Sequence, residues 1–372
     1  MLRKLESRPP SQIAVFLAIS LRLFYSLVAA ALTPFLRPAP SLIHSNALTE
    51  NLPAPAGWHY ALLGIWQRFD TLWYLRIAER GYDLPMAVIF YPLYPFAIRI
   101  ASWLMPPVVA ALVVSTVAAF FFFWGLLRLA QPDLTQPEQL RMLLLMSVWP
   151  TSFVLFAGYA DALNLALIVW SVIFAREQRW WPATSCGILA GLCRPSGVLV
   201  AIPLSVIALR NRRAPALAVI LSPLGLLSYW GWLRWTGRPS VVDAYRVYQG
   251  ATLAPPWASV GEVLRLIASQ HDVLLAIKLA LVILVTALSL HREVRPEDKL
   301  FACAVIVQLL MYTGRPLLGA ARYLMPAYPG FIMLGRYAGQ RLSRKQFVFY
   351  FCASGFLNLA WMRAFLGWSL VL

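Results

Sequence analysis

The residue best suited to chemistry is Asp70, an acid set among aromatic side chains in the stretch WQRFDTLWYLRIAERGYD, Trp66 to Asp83. An ionisable side chain at the edge of apolar segments is a functional candidate by default. A carboxylate in such a place can take a proton from an alcohol at neutral pH, which is the work of a general base. We therefore interpret Asp70 as a candidate base that activates a hydroxyl group. The alternative is a helix-surface acid paired with Arg68 or Arg76.

The aromatic rings near Asp70 favour a carbohydrate substrate. Trp66, Trp73 and Tyr74 flank the acid, and Tyr91 follows in the cluster FYPLYP. The faces of sugar rings stack on aromatic side chains, so we predict that these four residues line a sugar site.

Three arginines are candidates for binding an anion. Arg194, Arg315 and Arg322 lie at or near the ends of apolar runs that we place on the non-cytoplasmic side. The positive-inside rule predicts arginines on the cytoplasmic side instead. The opposite placement of these three indicates that they have another role. Because a guanidinium group grips phosphate with a planar fork of donors, we predict a site for the phosphate of a lipid donor. The alternative is snorkelling toward the lipid head groups.

Asp161 lies in a short turn between two apolar segments. We expect it first to cap a helix that begins at Ala162. It is also a candidate for orienting a sugar hydroxyl or an arginine, and the two roles are compatible.

Metal and nucleotide motifs are missing from the sequence. It contains no DxD motif, no Walker loop and no GxSxG, and its four cysteines and four histidines are scattered. We expect no cofactor. The sequence leaves the binding of a divalent metal open, because Glu79, Asp83 and Asp161 could approach Asp70 in space. A nucleotide-sugar donor usually needs a metal on its pyrophosphate, whereas arginines can serve a single lipid phosphate. The pattern favours the lipid donor.

The composition is that of an integral membrane protein. Of 372 residues, 60% are hydrophobic and only 13% are charged, about half the charged fraction of a soluble domain. Lys and Arg exceed Asp and Glu by 32 − 15 = 17. These charges fall between apolar segments, so we interpret them as topology determinants and partners of membrane lipids rather than as a nucleic-acid surface.

The apolar runs predict an all-α polytopic fold, with about nine full spans and one short helical hairpin in a single domain over residues 1–372. The predicted spans are at about 12–36, 107–130, 142–158, 162–178, 215–235, 273–291, 299–314, 323–340 and 346–369. The hairpin would join 183–193 to 196–209.

Two longer segments lie outside the membrane in this interpretation, at 37–105 and 236–272. Apolar residues at helical spacing predict one interfacial helix over Tyr60 to Arg80, with its aromatic rings at the head-group level. The basic N-terminus, together with Arg210, Arg212 and Arg213, is placed in the cytoplasm. We expect a bacterial inner membrane with the site facing the periplasm or exterior, or the endoplasmic reticulum if the source is eukaryotic.

Four short stretches resemble the PIG-V family of membrane mannosyltransferases, which add the second mannose to glycosylphosphatidylinositol, and their bacterial relatives. They are WQRFDTLWYLRIAERGYD with FYPLYP, WPTSFVLFAGYADALNLAL, GLCRPSGVL and ARYLMPAYPGFIMLG. Three departures stand out: Phe69 replaces a tryptophan, Tyr159-Ala160-Asp161 replaces Tyr-Ser-Glu, and Cys193 replaces a threonine. They point to a distant, bacterial member.

The resemblance implies a GT-C fold with an acidic catalytic residue in the first outside loop, here Asp70. It also implies a polyprenyl-phosphate sugar donor, typically of mannose, and a lipid- or glycan-linked acceptor. The reaction would be an inverting glycosyl transfer.

Two other functions are left open by the sequence. The short helices around Arg194 are typical of a transporter, here one for a lipid-linked sugar, but the long outside segment and the missing inverted repeats argue against it. The other is a purely structural membrane subunit, in which Asp70, Arg315 and Arg322 would tolerate alanine.

Overall fold

The computed structural model describes residues 8–36, 48, 57–211 and 215–369. Part of the predicted first outside loop, at 37–47 and 49–56, lies outside the described residues, as do Arg212 and Arg213 of the predicted cytoplasmic cluster.

Most of the described chain is helical. In the first half the helices are α1 (Pro10–Leu32), α2 (Gly57–Leu62), α3 (Asp70–Arg80), α4 (Leu93–Ala101), α5 (Pro107–Ala130), α6 (Gln136–Ser147), α7 (Asp161–Arg176) and α8 (Trp180–Cys193). In the second half they are α9 (Ala201–Arg210), α10 (Ala216–Leu221), α11 (Leu224–Trp235), α12 (Val241–Ala244), α13 (Pro256–Gln270), α14 (Val273–Ser289), α15 (Pro296–Leu310), α16 (Ala320–Tyr323), α17 (Tyr328–Arg341) and α18 (Arg344–Leu366).

Short elements join the helices. The 3₁₀ turns are Thr33–Phe35, Gly64–Trp66, Pro85–Ile89, Ser152–Phe156 and Pro195–Val200, and a π turn covers Tyr245–Gln249. Strands β1 (Thr252–Leu253) and β2 (Tyr312–Thr313) pair antiparallel, with Thr252 opposite Thr313. This ribbon pairs the segment 236–272, which is predicted to lie outside the membrane, with the residues just before Arg315.

The predicted number of spans is not confirmed. Among the described residues, two helical stretches are long and apolar enough to cross a membrane, Pro10–Phe35 and Pro107–Ala130. Two predicted spans are interrupted: 142–158 breaks after Ser147, just before Pro150, and 215–235 breaks at Pro223. Proline lacks the N–H that continues a helix, and its ring clashes with the preceding turn.

The predicted interfacial helix over Tyr60 to Arg80 is wrong. Helix α2 ends at Leu62, a 3₁₀ turn covers Gly64–Trp66, and α3 begins only at Asp70. The rings also point elsewhere than predicted, since Trp66 is 0% exposed and Tyr74 is 3% exposed. These aromatic side chains pack inside the protein instead of lying at a free head-group surface.

The two short helices of the predicted hairpin are present with shifted bounds. Helices α8 and α9 are joined through Arg194 and the 3₁₀ turn Pro195–Val200. A Cβ at Gly197 would overlap the backbone of Ala190, so the turn packs directly on α8. This close approach fixes Arg194 at the end of α8.

A second close approach, between α8 and α11, gives a test of the packing. A Cβ at Gly225 would overlap the carbonyl oxygen of Ile188, whereas Gly231 on the same helix has open space around it. We expect Gly225→Ala to destabilise the protein by about 1–3 kcal/mol, the usual cost of overpacking. Gly231→Ala is the matched control and should be neutral or slightly stabilising. Thermal unfolding of the two variants in detergent measures the difference, and equal midpoints would contradict this packing.

Candidate active site

The N-terminus of α3 is docked onto the turn that precedes α7. The backbone N–H of Asp70 donates to the Tyr159 hydroxyl at 3.4 Å. The Thr71 hydroxyl donates to the carbonyl oxygen of Ala157 at 2.6 Å. Two segments that are far apart in sequence therefore meet at Asp70.

The residue before Asp70 has an unusual backbone. Phe69 has φ 47°, a value that is rare for a bulky side chain and costs on the order of 1–3 kcal/mol. Its ring packs against Phe365 and Trp368, with centroids 5.6 Å away in both cases. This packing stabilises Phe69 in its strained conformation. The positive φ turns the chain sharply, so that α3 begins at Asp70.

Asp70 is the outermost member of a chain of alternating charges. Its Oδ2 lies 2.8 Å from Nη1 of Arg322. The Nε of Arg322 donates to both carboxylate oxygens of Asp161, each at 2.9 Å. Arg194 donates to Asp161 Oδ1 from the other side. The order is Asp70, Arg322, Asp161, Arg194, which we call the charge chain.

Burial is graded along the charge chain. The side chains of Arg322 and Asp161 are 5% and 6% exposed, whereas that of Asp70 is 26% exposed. The two acids and two arginines balance in charge, which makes their burial tolerable. Asp70 is the most exposed member of the charge chain, ahead of Arg194 at 12%.

Two tyrosines complete the surroundings of the arginines. The Arg322 guanidinium lies 4.5 Å from the ring centroid of Tyr159, and that of Arg194 lies 5.0 Å from the centroid of Tyr323. Cations are attracted to the faces of aromatic rings. Sequence reasoning assigned neither tyrosine to the site. The only sequence signal was position: Tyr159 lies two residues before Asp161, and Tyr323 directly follows Arg322.

The predicted capping role of Asp161 is wrong. Asp161 is the first residue of α7, the N-cap is Ala160, and no side chain makes a capping bond there. The carboxylate is instead held by the guanidinium groups of Arg194 and Arg322. Of the roles weighed for Asp161, orienting an arginine is the one that the structure shows.

The partners proposed in the alternative interpretation of Asp70 have other contacts. Arg76 forms an ion pair with Asp83 at 2.7 Å, and these bonds lower the pKa of the Asp83 carboxyl. Arg68 donates to neutral acceptors, among them the carbonyl oxygen of Leu366 at 3.0 Å. Asp70 pairs with Arg322, a residue much later in the chain.

The four predicted sugar-lining residues are packed against other side chains. Their exposures are 0% for Trp66, 8% for Trp73, 3% for Tyr74 and 1% for Tyr91. The guanidinium of Arg22 covers the Trp66 ring at 4.6 Å, and Trp73 stacks on Phe90 with centroids 5.4 Å apart.

The side chains of Tyr74 and Tyr91 are also enclosed. Tyr74 packs edge-on against Tyr94, and the Tyr91 hydroxyl accepts from Nε1 of Trp230 at 3.0 Å. The four rings are enclosed by other side chains and offer no open face to a sugar.

Arg315 is separate from the charge chain. It is exposed and follows β2, where the N–H of Gly314 donates to the Glu262 carboxylate at 3.1 Å. Arg315 makes no ion pair with any residue that the structure describes. Of the three predicted phosphate-binding arginines, the structure joins Arg194 and Arg322 through Asp161 and leaves Arg315 apart from them. Within the described ranges, no three His, Cys, Asp or Glu side chains are grouped so as to hold a metal ion.

Comparison with known proteins identifies the fold. No family model matches the sequence, and no curated protein matches it. The structure is similar to that of ArnT from Cupriavidus metallidurans bound to undecaprenyl phosphate, with a TM-score of 0.51 and 15% identity over 77% of this chain and 60% of that one. The apo state of the same protein gives a TM-score of 0.48 and 14% identity over 74% and 55% of the two chains.

The chain thus spans about 60% of the length of the ArnT structure that it matches. ArnT is a GT-C glycosyltransferase, and the GT-C fold expected from the four sequence stretches is confirmed at this level. The PIG-V family is not confirmed. What the comparison shows is a helical fold of the ArnT type.

Proposed function

We propose that this chain is an inverting glycosyltransferase. It moves a sugar, with mannose the expected one, from a polyprenyl-phosphate donor to a hydroxyl of a lipid- or glycan-linked acceptor on the non-cytoplasmic face. The observation that carries the proposal is the ion pair between Asp70 and Arg322, which sets a carboxylate base beside a cation suited to phosphate. The fold likeness to ArnT, whose structure holds undecaprenyl phosphate, supports this class of donor.

The reaction follows from the two charges. The Asp70 carboxylate takes the proton of the acceptor hydroxyl, and the acceptor oxygen attacks the anomeric carbon from the face opposite the phosphate. The bond between the anomeric carbon and the phosphate oxygen breaks, and its electron pair leaves with the lipid phosphate. Arg322 stabilises the charge that grows on that phosphate, and preorganised electrostatic contacts of this kind often contribute most of the rate enhancement of an enzyme.

The buried end of the charge chain holds Arg322 in position for this role. Asp161 fixes the guanidinium from behind, so Nη1 stays directed at Asp70. The Nη2 atom also lies 2.9 Å from Asp161 Oδ2, so the Asp161 carboxylate contacts Nε and Nη2 and leaves Nη1 to Asp70.

Transfer by the purified protein tests the proposal. The protein in nanodiscs is given radiolabelled polyprenyl-phosphate mannose and an extract of membrane lipids as the acceptor. We expect label in a new lipid or glycan product, with polyprenyl phosphate released. Movement of the donor between leaflets without a product would contradict enzymatic transfer and favour the transporter.

Arg315 is expected to contribute to binding of the donor phosphate, as the sequence predicts. Because it is exposed and makes no ion pair within the described chain, Arg315→Gln should leave the fold intact. We expect KM for the donor to rise about tenfold with kcat little changed, the loss of one charge-assisted contact. Arg246→Gln is the control, since Arg246 is another exposed arginine of the outer segments and pairs with Asp243. Equal KM values in the two variants would remove Arg315 from the site.

A further inference from the structure

A cavity of about 450 Å³ lies between the C-terminal end of α1, helix α2 and the end of α18. Its wall is largely apolar and includes Leu36, Ile65 and Leu366. Arg68, which the charge chain does not use, also lines it. The cavity therefore combines an apolar wall with one cation.

The charge of Arg68 is buried without a counter-charge among the described residues. The side chain is 2% exposed, and it donates to the carbonyl oxygens of Leu366 and Gln67, each at 3.0 Å, and to the Tyr60 hydroxyl at 2.6 Å. Its guanidinium also lies 4.6 Å from the ring centroid of Trp368. All these partners are neutral, and no carboxylate in the described part of the chain forms an ion pair with Arg68.

A buried cation held only by neutral acceptors is expensive, because it has lost its hydration and gained no opposite charge. The charge chain, which includes Asp70 two residues further on, is balanced in charge instead. Each of its buried arginines forms an ion pair with an aspartate. At Arg68 no acid among the described residues supplies an anion, and a ligand could do so. A guanidinium group and a phosphate are matched in geometry as well as in charge.

The position of the cavity favours a ligand with an apolar chain. Trp58 lines it and is 70% exposed, and nearby Phe35 is 75% exposed. Exposed aromatic side chains at the end of an apolar helix are typical of the head-group level of a bilayer. The outer end of α1 is where the positive-inside pattern places such a boundary.

We propose that the Arg68 cavity binds the phosphate head group of a membrane lipid, with the lipid chain along its apolar wall. The shared chemistry is a phosphate ester on an apolar chain, which either a polyprenyl phosphate or a phosphoglyceride supplies. This site is distinct from the donor phosphate at Arg322. Arg68 precedes Asp70 by two residues, so an occupied cavity would hold the lipid against the segment that carries the base.

Binding to the purified full chain in detergent tests the proposal without any turnover. The probes are farnesyl phosphate, a short-chain phosphatidic acid, farnesol and inorganic phosphate, each followed by native mass spectrometry. We expect at least one of the two lipid phosphates to bind, and the better one names the source. Farnesol and inorganic phosphate should each bind at least tenfold more weakly.

Two variants locate the site. Ala61→Phe fills the cavity, which Ala61 lines, and leaves Arg68 and its bonds in place. Arg68→Gln removes the charge. Because native mass spectrometry counts bound molecules, we expect each to lose the one lipid phosphate bound in this cavity and to keep any bound at the donor site. Ala258→Phe, at an exposed position of α13, should keep the wild-type number.

Three results would overturn the proposal. They are the wild-type number of bound lipid phosphates in Ala61→Phe, no lipid phosphate bound by the wild type, and inorganic phosphate bound as tightly as the lipids. If Arg68→Gln does not fold, Ala61→Phe still decides, because it leaves the guanidinium and its bonds to Tyr60, Gln67 and Leu366 unchanged.

Discussion

Asp70→Asn is expected to lower the rate of sugar transfer by about 10²–10⁴-fold, the usual contribution of a general base. Asparagine keeps the shape of the side chain and an oxygen that can accept from Nη1 of Arg322, so the ion-pair partner remains satisfied. It cannot take the acceptor proton. Binding of the donor should change little, since the phosphate is held by the arginines.

The measurement is kcat for transfer by wild-type and variant protein, with donor affinity measured in parallel. Asp83→Asn is the matched control, because Asp83 is an acid of the same outer segment that pairs with Arg76 outside the charge chain. We expect that control to keep near wild-type kcat. Full turnover by folded Asp70→Asn would exclude Asp70 as the base.

Asp161→Asn is expected to cause the largest loss of stability among single substitutions at the site. Among the described residues, Asp161 is the only acid that pairs with Arg194, and it shares Arg322 with Asp70. Its neutralisation leaves a buried guanidinium without a counter-charge, which typically costs about 3–5 kcal/mol. Transfer should fall as well, because Arg322 loses the carboxylate that orients it.

The double variant Asp161→Asn/Arg194→Gln separates charge balance from simple damage. It restores neutrality, because one acid and one arginine remain at Asp70 and Arg322. We expect it to unfold at a higher temperature than Asp161→Asn alone, with a coupling of roughly 0.5–3 kcal/mol between the two sites. Strictly additive losses would show that the two side chains do not act as a buried pair. Activity should recover less than stability, since Arg322 is still unsupported.

The charge chain shows how far the sequence could predict the site. Asp70, Arg194 and Arg322 are each identifiable from their residue type and their place at the end of an apolar run. The connection between them is not identifiable, because residues 161 and 322 are far apart in the sequence and their side chains meet only in the folded chain. The sequence favours Asp161 as a cap of α7, and nothing local to its turn shows that two arginines would compete for its carboxylate.

Helix breaks were partly predictable. Pro150 and Pro223 are visible helix breakers, and the predicted spans through them gave too much weight to hydropathy. The break before Asp70 had no such signal. Phe69 takes a positive φ because its ring is packed and the start of α3 is bonded to Tyr159 and Ala157, contacts that only the tertiary structure creates.

The aromatic residues near Asp70 are predicted as a sugar surface from residue type alone. Trp66 and Tyr91 are instead enclosed, because rings of that size next to apolar helices gain more from burial than from exposure. Their contribution to a sugar site stays a prediction. The helical architecture and GT-C fold were predictable because they rest on composition and on several dispersed stretches together.

A structure with bound polyprenyl phosphate is the most direct test of the central claim, that the Asp70 carboxylate and the Arg322 guanidinium form one catalytic site. We predict that the phosphate lies within hydrogen-bonding distance of the Arg322 guanidinium, on the side that faces Asp70. A phosphate bound away from Arg322, with the pair between Arg322 and Asp70 undisturbed, would contradict it.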